Sequence, residues 1–185
     1  IKKNEYRVAC TPSGVKEIIA HGHRVLVEKD AGKVSGFSDK EYEEQGAEIV
    51  DSAEELYKRS DLIYKVKEIL PDEFKYLREN LIIFAYIHSN AHKEEIDALL
   101  ENKVIGIAYE DVTDENGEFP LLKPMSIIAG KGGFIAALNF TQKIHGGKGI
   151  LLSRIDGVRT PEITIIGAGN SGIGAAELAA AFGNK

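Results

Sequence analysis

The sequence holds a single cysteine, Cys10, and no Cys/His spacing of the zinc-binding kind. An internal disulfide is excluded, a reducing cytoplasmic setting is the natural default, and Cys10 reads first as a buried thiol. No apolar run reaches the ~18–20 residues that cross a bilayer, and the opening Ile1-Lys2-Lys3-Asn4 has no apolar stretch of the signal-peptide type behind it. Membrane and secretory roles are not expected. Positive charge is scarce as well: 23 Lys and Arg stand against 29 Asp and Glu, for a net charge of -6. A binder of nucleic-acid backbone would cluster basic residues on one face, so nucleic acid is an unexpected partner. Repeats, low-complexity segments and an initiator Met are also absent, the last suggesting a chain shorter than the complete gene product.

What is present is the alternation of an α/β protein. Apolar, β-branched runs at 23–27, 47–50, 61–66, 81–87, 104–109 and 163–166 are separated by helical patterns, the spacing of βαβ units. Ser38-x-x-Glu41 and Ser52-x-x-Glu55 are capping boxes, Ser13 can cap a helix that Gly22 ends, and 91–101 supplies another helix. The run 81–87 is apolar at every position, which predicts a strand buried on both faces of a parallel sheet. Beyond Tyr109, Asp114-Glu115-Asn116-Gly117 marks a hairpin or loop tip. Met125 to Ile144 reads as one long helix with Ile128, Ile135, Leu138 and Ile144 as its apolar positions. Gly130, Gly132 and Gly133 each cost about 1 kcal/mol in a helix interior, so either backbones pack closely there or the helix starts later. Gly146-Gly147-Lys148-Gly149 reads as a flexible joint. The expected organisation is a domain over 1–124, a connector helix and loop over 125–160, and a further start over 161–185.

Ligands of open parallel sheets bind beyond the carboxyl ends of the strands. The first polar side chains there are Lys65 and Lys67, two apart and so on one face of an extended strand, then His88 and Glu110; Arg7 lies near the start. Arg offers a planar fork for a carboxylate, and His can serve as base and acid in one cycle. The set suits an amino or keto acid. The plainer alternatives are solvated edge lysines, a structural histidine, and an Arg7 paired with Glu5. His21, His23, His92 and His145 read as solvated.

Pro161 to Ile166 reads as a short strand, followed directly by Gly167-x-Gly169-x-x-Gly172 and an alanine-rich helix. In that context Gly167 makes the tight turn, Gly169 admits a pyrophosphate, Gly172 lets helix pack on strand, and the helix N-terminus faces the anion.

The whole chain resembles the alanine dehydrogenase and nicotinamide nucleotide transhydrogenase α-subunit group. The likeness runs through Asn4-Glu5-x-Arg7-Val8-Ala9-x-Thr11-Pro12, Gly22-His23-x-Val25-Leu26-Val27-Glu28, Lys65-Val66-Lys67-Glu68 and Tyr86-x-His88. It continues through Ile107-Ala108-Tyr109-Glu110, Pro120-Leu121-Leu122-x-Pro124-Met125-Ser126 and Gly146 to Leu152. His88 places it in the dehydrogenase branch, since transhydrogenases do not keep a histidine there. The resemblance implies a parallel-sheet, Rossmann-like substrate domain followed by the first β-turn-α of a truncated NAD-binding Rossmann domain. It implies reversible, NAD-dependent oxidative deamination of L-alanine to pyruvate and ammonium. By that likeness Arg7 and Lys67 hold the substrate, His88 and Lys67 are catalytic, and Tyr86 lines the pocket. Ser126, Gly167, Gly169, Asn170 and Gly172 would contact NAD, no metal is expected, and the assembly that the likeness implies is a homo-oligomer, a hexamer.

The sequence departs from the family in three places. The family's opening strand and Pro-Lys-Glu-like segment would precede Ile1. The family carries Glu and Arg where Ile127 and Lys131 stand, and Lys keeps the charge but loses the fork. The acidic residue expected about 20 positions beyond the glycine turn, a further catalytic aspartate and the rest of the cofactor cleft lie past Lys185, so the chain alone is expected to be inactive. Two other functions fit less of the sequence: a transhydrogenase α-subunit nucleotide domain, and a non-catalytic domain that binds a small acid or a partner subunit.

Overall fold

The computed structural model describes residues 4–184; the expectations that touch Ile1, Lys2, Lys3 and Lys185 lie outside the described residues. The chain forms two compact units, one extending to Val112 and one beginning at Thr113.

In the first unit, helices and strands alternate as the spacing predicts: α1 (Pro12–Ala20), β1 (Leu26–Glu28), α2 (Asp39–Glu44), β2 (Glu48–Val50), α3 (Ala53–Arg59), β3 (Leu62–Tyr64), β4 (Ile82–Ala85), α4 (Lys93–Glu101) and β5 (Ile105–Ala108). The strands are parallel, in a β1-β2 pair and a separate β3-β4-β5 sheet. The strands are shorter than their apolar runs.

The helix starts differ in how they are capped. Ser38 and Glu41 make the full reciprocal box on α2. Ser52 accepts the Glu55 N–H at 3.2 Å, but the Glu55 carboxylate turns to Arg59 at 2.7 Å, so only half of that box forms. Ser13 does not cap α1. Thr11 does, because Pro12 occupies the first helical position with its φ already set, and the Thr11 oxygen accepts the Gly14 N–H.

Strand β4 is covered unequally. Leu81, Ile83, Ala85 and Ile87 are buried in a core with Tyr57, Ile69 and Leu99. On the other face Ile82 and Phe84 are only half-buried, which corrects the expectation of two buried faces. Phe84 is covered by rings instead: Tyr64 stacks on it at 5.5 Å and Tyr109 meets it edge-on at 4.4 Å. A tier of aromatics therefore stands where a second apolar layer was expected. A second, smaller core gathers Val15, Tyr42 and Ala47.

The second unit contains α5 (Leu122–Phe140) and α6 (Asn170–Ala181). Helix α5 begins three residues before the expected start and ends four before the expected finish. Of its anticipated apolar positions, Ile128 and Ile135 are exposed, as is Ile144 beyond its end. The packing face runs through Gly130 and Phe134 instead, with Phe134 against Phe182 at 5.4 Å. A Cβ at Gly130 would lie 1.8 Å from the Ser171 carbonyl oxygen, and one at Gly174 would lie 2.4 Å from that of Ile127. Of the three helix-weakening glycines Gly130 is thus part of the contact, while Gly132 and Gly133 face open space, which explains why an amphipathic stripe misplaced it. Lys131, in place of the family's arginine, bridges to Glu177 at 3.2 Å.

Residues 146–149 form a hydrogen-bonded return rather than a loose joint, Gly147 and Gly149 donating to Gln142 and Thr141. The expected strand at 163–166 is not formed. Its backbone has no ladder partner among the described residues, and Ile166 is 98% exposed. A lone extended segment cannot complete its hydrogen bonds, whatever its β-propensity.

Candidate active site

The geometry at the strand ends starts from β4. Alternate residues project to one face of an extended chain, and Phe84, Tyr86 and His88 follow that rule past the end of the ladder. The Tyr86 and His88 rings are parallel, 5.9 Å apart and tilted by 11°, and Tyr109 meets Tyr86 edge-on at 4.8 Å. Lys67 places its ammonium 5.7 Å from the Tyr86 ring centre. The Lys67 ammonium and the His88 imidazole thus both lie against the Tyr86 ring.

Lys65 and Lys67 do not share a face. Strand β3 ends at Tyr64 and the chain bends at 66–67, so the alternation that would have paired them is broken. Lys65 turns inward to Glu73 at 2.6 Å and is largely buried. Glu73 also accepts from the Tyr57 hydroxyl at 3.1 Å and the Leu70 N–H at 2.8 Å. Lys65 is therefore part of a structural hub, and Lys67 is the lysine on the aromatic face.

Arg7 is held by its neighbour Glu5 through a two-pronged pair, Nε to Oε1 at 2.8 Å and Nη2 to Oε2 at 2.7 Å. The guanidinium, helped by Lys67, holds the Glu5 carboxyl down at about 2, against the opposing effect of burial. Arg7 and Tyr86 also influence each other's protonation, so Glu5, Arg7, Lys67 and Tyr86 form one neighbourhood. Both readings of Arg7 meet here: it pairs with Glu5, and it stands beside the lysine and ring of the candidate site.

His88 occupies the left-handed backbone region, φ 51°, uncommon outside glycine. Its backbone N–H donates to Glu110 Oε1, and its Nδ1 lies 3.6 Å from the same oxygen. Glu110 comes from the single turn Tyr109–Asp111 that follows β5. Parallel pairing of Ala85 with Ala108 brings the two strand ends together, a register that only the structure supplies.

Further carboxylates secure the surrounding loops. Glu95, 3% exposed, accepts the Ile69 N–H at 2.7 Å and so ties α4 to the segment after Lys67; burial pushes its carboxyl up. Nothing in the local sequence distinguishes Glu73 or Glu95 from the many surface glutamates. Cys10 is half-buried and its thiol is pushed up by burial, in keeping with an inert role.

Two concavities in this unit, of about 370 and 430 Å³, are lined by other residues, and Arg7, Lys67, Tyr86 and His88 line neither. Among the described residues no cluster of His, Cys, Asp or Glu could hold a metal ion, and no helix is long and apolar enough to cross a membrane.

In the second unit, α6 starts at Asn170 with Gly169 as its N-cap, and no side chain accepts the first backbone N–H groups. Gly167 has φ 109°, and a Cβ at Gly172 would lie 2.0 Å from the Gly167 carbonyl oxygen, whereas one at Gly169 would meet open space. A turn without side chains, opening on free N–H groups, fits a phosphate or pyrophosphate. Ser126 lies on α5, one residue before the Ile127 carbonyl that abuts Gly174.

Comparison with known proteins finds relatives over the whole chain. Residues 1–129 match the family described as alanine dehydrogenase/PNT, N-terminal domain, and residues 133–185 its C-terminal domain. Alanine dehydrogenase of Geobacillus stearothermophilus is 46% identical over 183 residues, 99% of this chain and 49% of the relative. That of Methanococcus maripaludis is 43% identical over 185 residues, 100% of this chain and 50% of the relative. A solved L-alanine dehydrogenase superposes with a TM-score of 0.90 at 37% identity, covering 100% of this chain and 51% of that one. A transhydrogenase from Sinorhizobium meliloti superposes with a TM-score of 0.80 at 25% identity, covering 100% and 52%. The chain spans about half the length of the curated relatives it matches.

Proposed function

The chain belongs to the alanine dehydrogenase/PNT family, and from that premise we propose that the complete polypeptide oxidatively deaminates L-alanine to pyruvate and ammonium, reversibly, with NAD as acceptor. The observation that carries this reading is the cluster formed by the Lys67 ammonium, the Tyr86 ring and the His88 imidazole, with Arg7 beside it.

Each residue has a part that its position supports. Arg7 and Lys67 supply cations for the carboxylate and carbonyl oxygens of a three-carbon acid. Tyr86 gives the substrate an apolar wall. His88 takes a proton from the water that attacks the imine carbon and returns it to the departing amine nitrogen, the two-way duty suited to an imidazole. When bound, NAD accepts the hydride from the substrate carbon. The residues proposed to hold its pyrophosphate are Gly167, Gly169, Asn170 and Gly172, with Ser126 as a further contact. In this division residues 1–124 bind substrate, 125–160 connect, and 161–185 begin the cofactor domain. The working form is proposed to be a cytoplasmic homo-oligomer.

The test follows NADH absorbance with pyruvate plus ammonium, using the complete gene product and its His88→Ala and Lys67→Ala variants. The wild type should turn over, with losses of about 10²-fold or more in each variant. A wild type inert toward these substrates but able to exchange hydride between NADH and NADP⁺ analogues would replace this reading with a transhydrogenase. Binding of a keto acid with neither activity would replace it with a non-catalytic module.

A further inference from the structure

His88 is unusual twice over: a β-carbon-bearing residue in the left-handed region, and a ring whose Nδ1 faces a carboxylate that also grips its own backbone. We propose that Glu110 is a positioning residue for His88, clamping its backbone N–H and orienting Nδ1 so that Nε2 is the atom presented for proton exchange.

The left-handed conformation carries an energetic penalty for a residue of this kind, and something outside residues 87–89 must hold it. The Glu110 side chain is positioned to do so. It is 16% exposed, arrives from the neighbouring strand end, and directs one oxygen, Oε1, at both the N–H and Nδ1 of the same residue. A carboxylate can only accept, so the proton of a neutral imidazole facing it is favoured on Nδ1, and the lone pair falls to Nε2. The second oxygen, Oε2, is buried with no hydrogen-bond partner in the structure, so Glu110 is not committed to another donor. Tyr86 is stacked on the ring, the His92 ring centre lies 6.5 Å away, and the Lys67 ammonium stands 5.7 Å from the Tyr86 ring centre. The carboxylate of Glu110 is the acid paired with His88.

This role rests on the proposed dehydrogenase reading, and its test separates the two. Glu110→Gln in the complete gene product keeps an oxygen for the His88 N–H and removes the charge. The expected result is a fall in kcat of about 10-fold or more, with KM for pyruvate changed less. Nitrogen-15 NMR of the His88 ring should show the neutral form losing its preference for the Nδ1 proton. Asp111→Asn, which removes a charge one residue along the same turn, should leave that preference and kcat in place. If His88→Ala is crippled while Glu110→Gln shows wild-type kcat and tautomer, the positioning role is overturned and the dehydrogenase reading stands. If His88→Ala itself turns over normally, the catalytic reading of His88 fails, and with it any positioning of a catalytic imidazole.

Discussion

The two units are held together in opposite ways. In the first, side chains interlock: Leu81 and Ile83 fill a core, and buried glutamates gather backbone and side-chain donors from several loops. In the second, α5 and α6 meet where side chains are missing, at Gly130 and Gly174, while Ile128, Ile135 and Phe140 remain exposed. The difference teaches where each kind of substitution does harm. Truncation damages the first unit, and addition damages the second.

The largest expected effect comes from the Glu73 hub. Glu73→Ala strands the Lys65 ammonium, the Tyr57 hydroxyl and the Leu70 N–H, and should destabilise the first unit by about 3–5 kcal/mol, measured by urea unfolding. Ile83→Ala, at a fully buried position of β4, should cost about 2–5 kcal/mol with its cavity. In the second unit Gly130→Ala should cost about 1–3 kcal/mol through overpacking, seen as faster amide exchange along α6. Gly133→Ala, whose added carbon meets nothing within 4 Å, should instead stabilise α5 by about 0.5–1 kcal/mol. If Gly130→Ala behaved like Gly133→Ala, the contrast between the units would be lost. The smallest effect is electrostatic. Because the Glu5 carboxyl sits at about 2, below its ordinary 4.5, the stability it contributes is complete above pH 4.5 and drains away as the pH falls toward 2. Glu5→Gln should flatten that stretch of an acid-unfolding curve.

Much of the first unit was legible in the sequence. Five apolar runs marked five strands, and Ser38 with Glu41 marked a helix start, because period and capping are local properties. Lys65 was misplaced because the bend at 66–67 carries no turn residue to announce it. Glu110 was visible as the polar residue after a strand, but its partner depends on which residue of β4 faces which of β5. The pairing of Arg7 with Glu5 was foreseen as an alternative, since the two are near neighbours in the chain. In the second unit the apolar stripe predicted the wrong face of α5, because period-based reading weights large side chains and the contact is centred on Gly130, with Phe134 as its large residue. The 163–166 strand failed for a related reason: β-propensity describes one chain, and a ladder needs two.

The meeting of α5 and α6 has a mechanical consequence. At Gly130 and Gly174 main chain meets main chain with no rotamers to readjust, so small repacking steps there cannot let the two helices slide, and they should tilt together as a single lever. The glycine turn at the head of α6 is fastened to one end of that lever, and a displacement along α5 would reach it undamped.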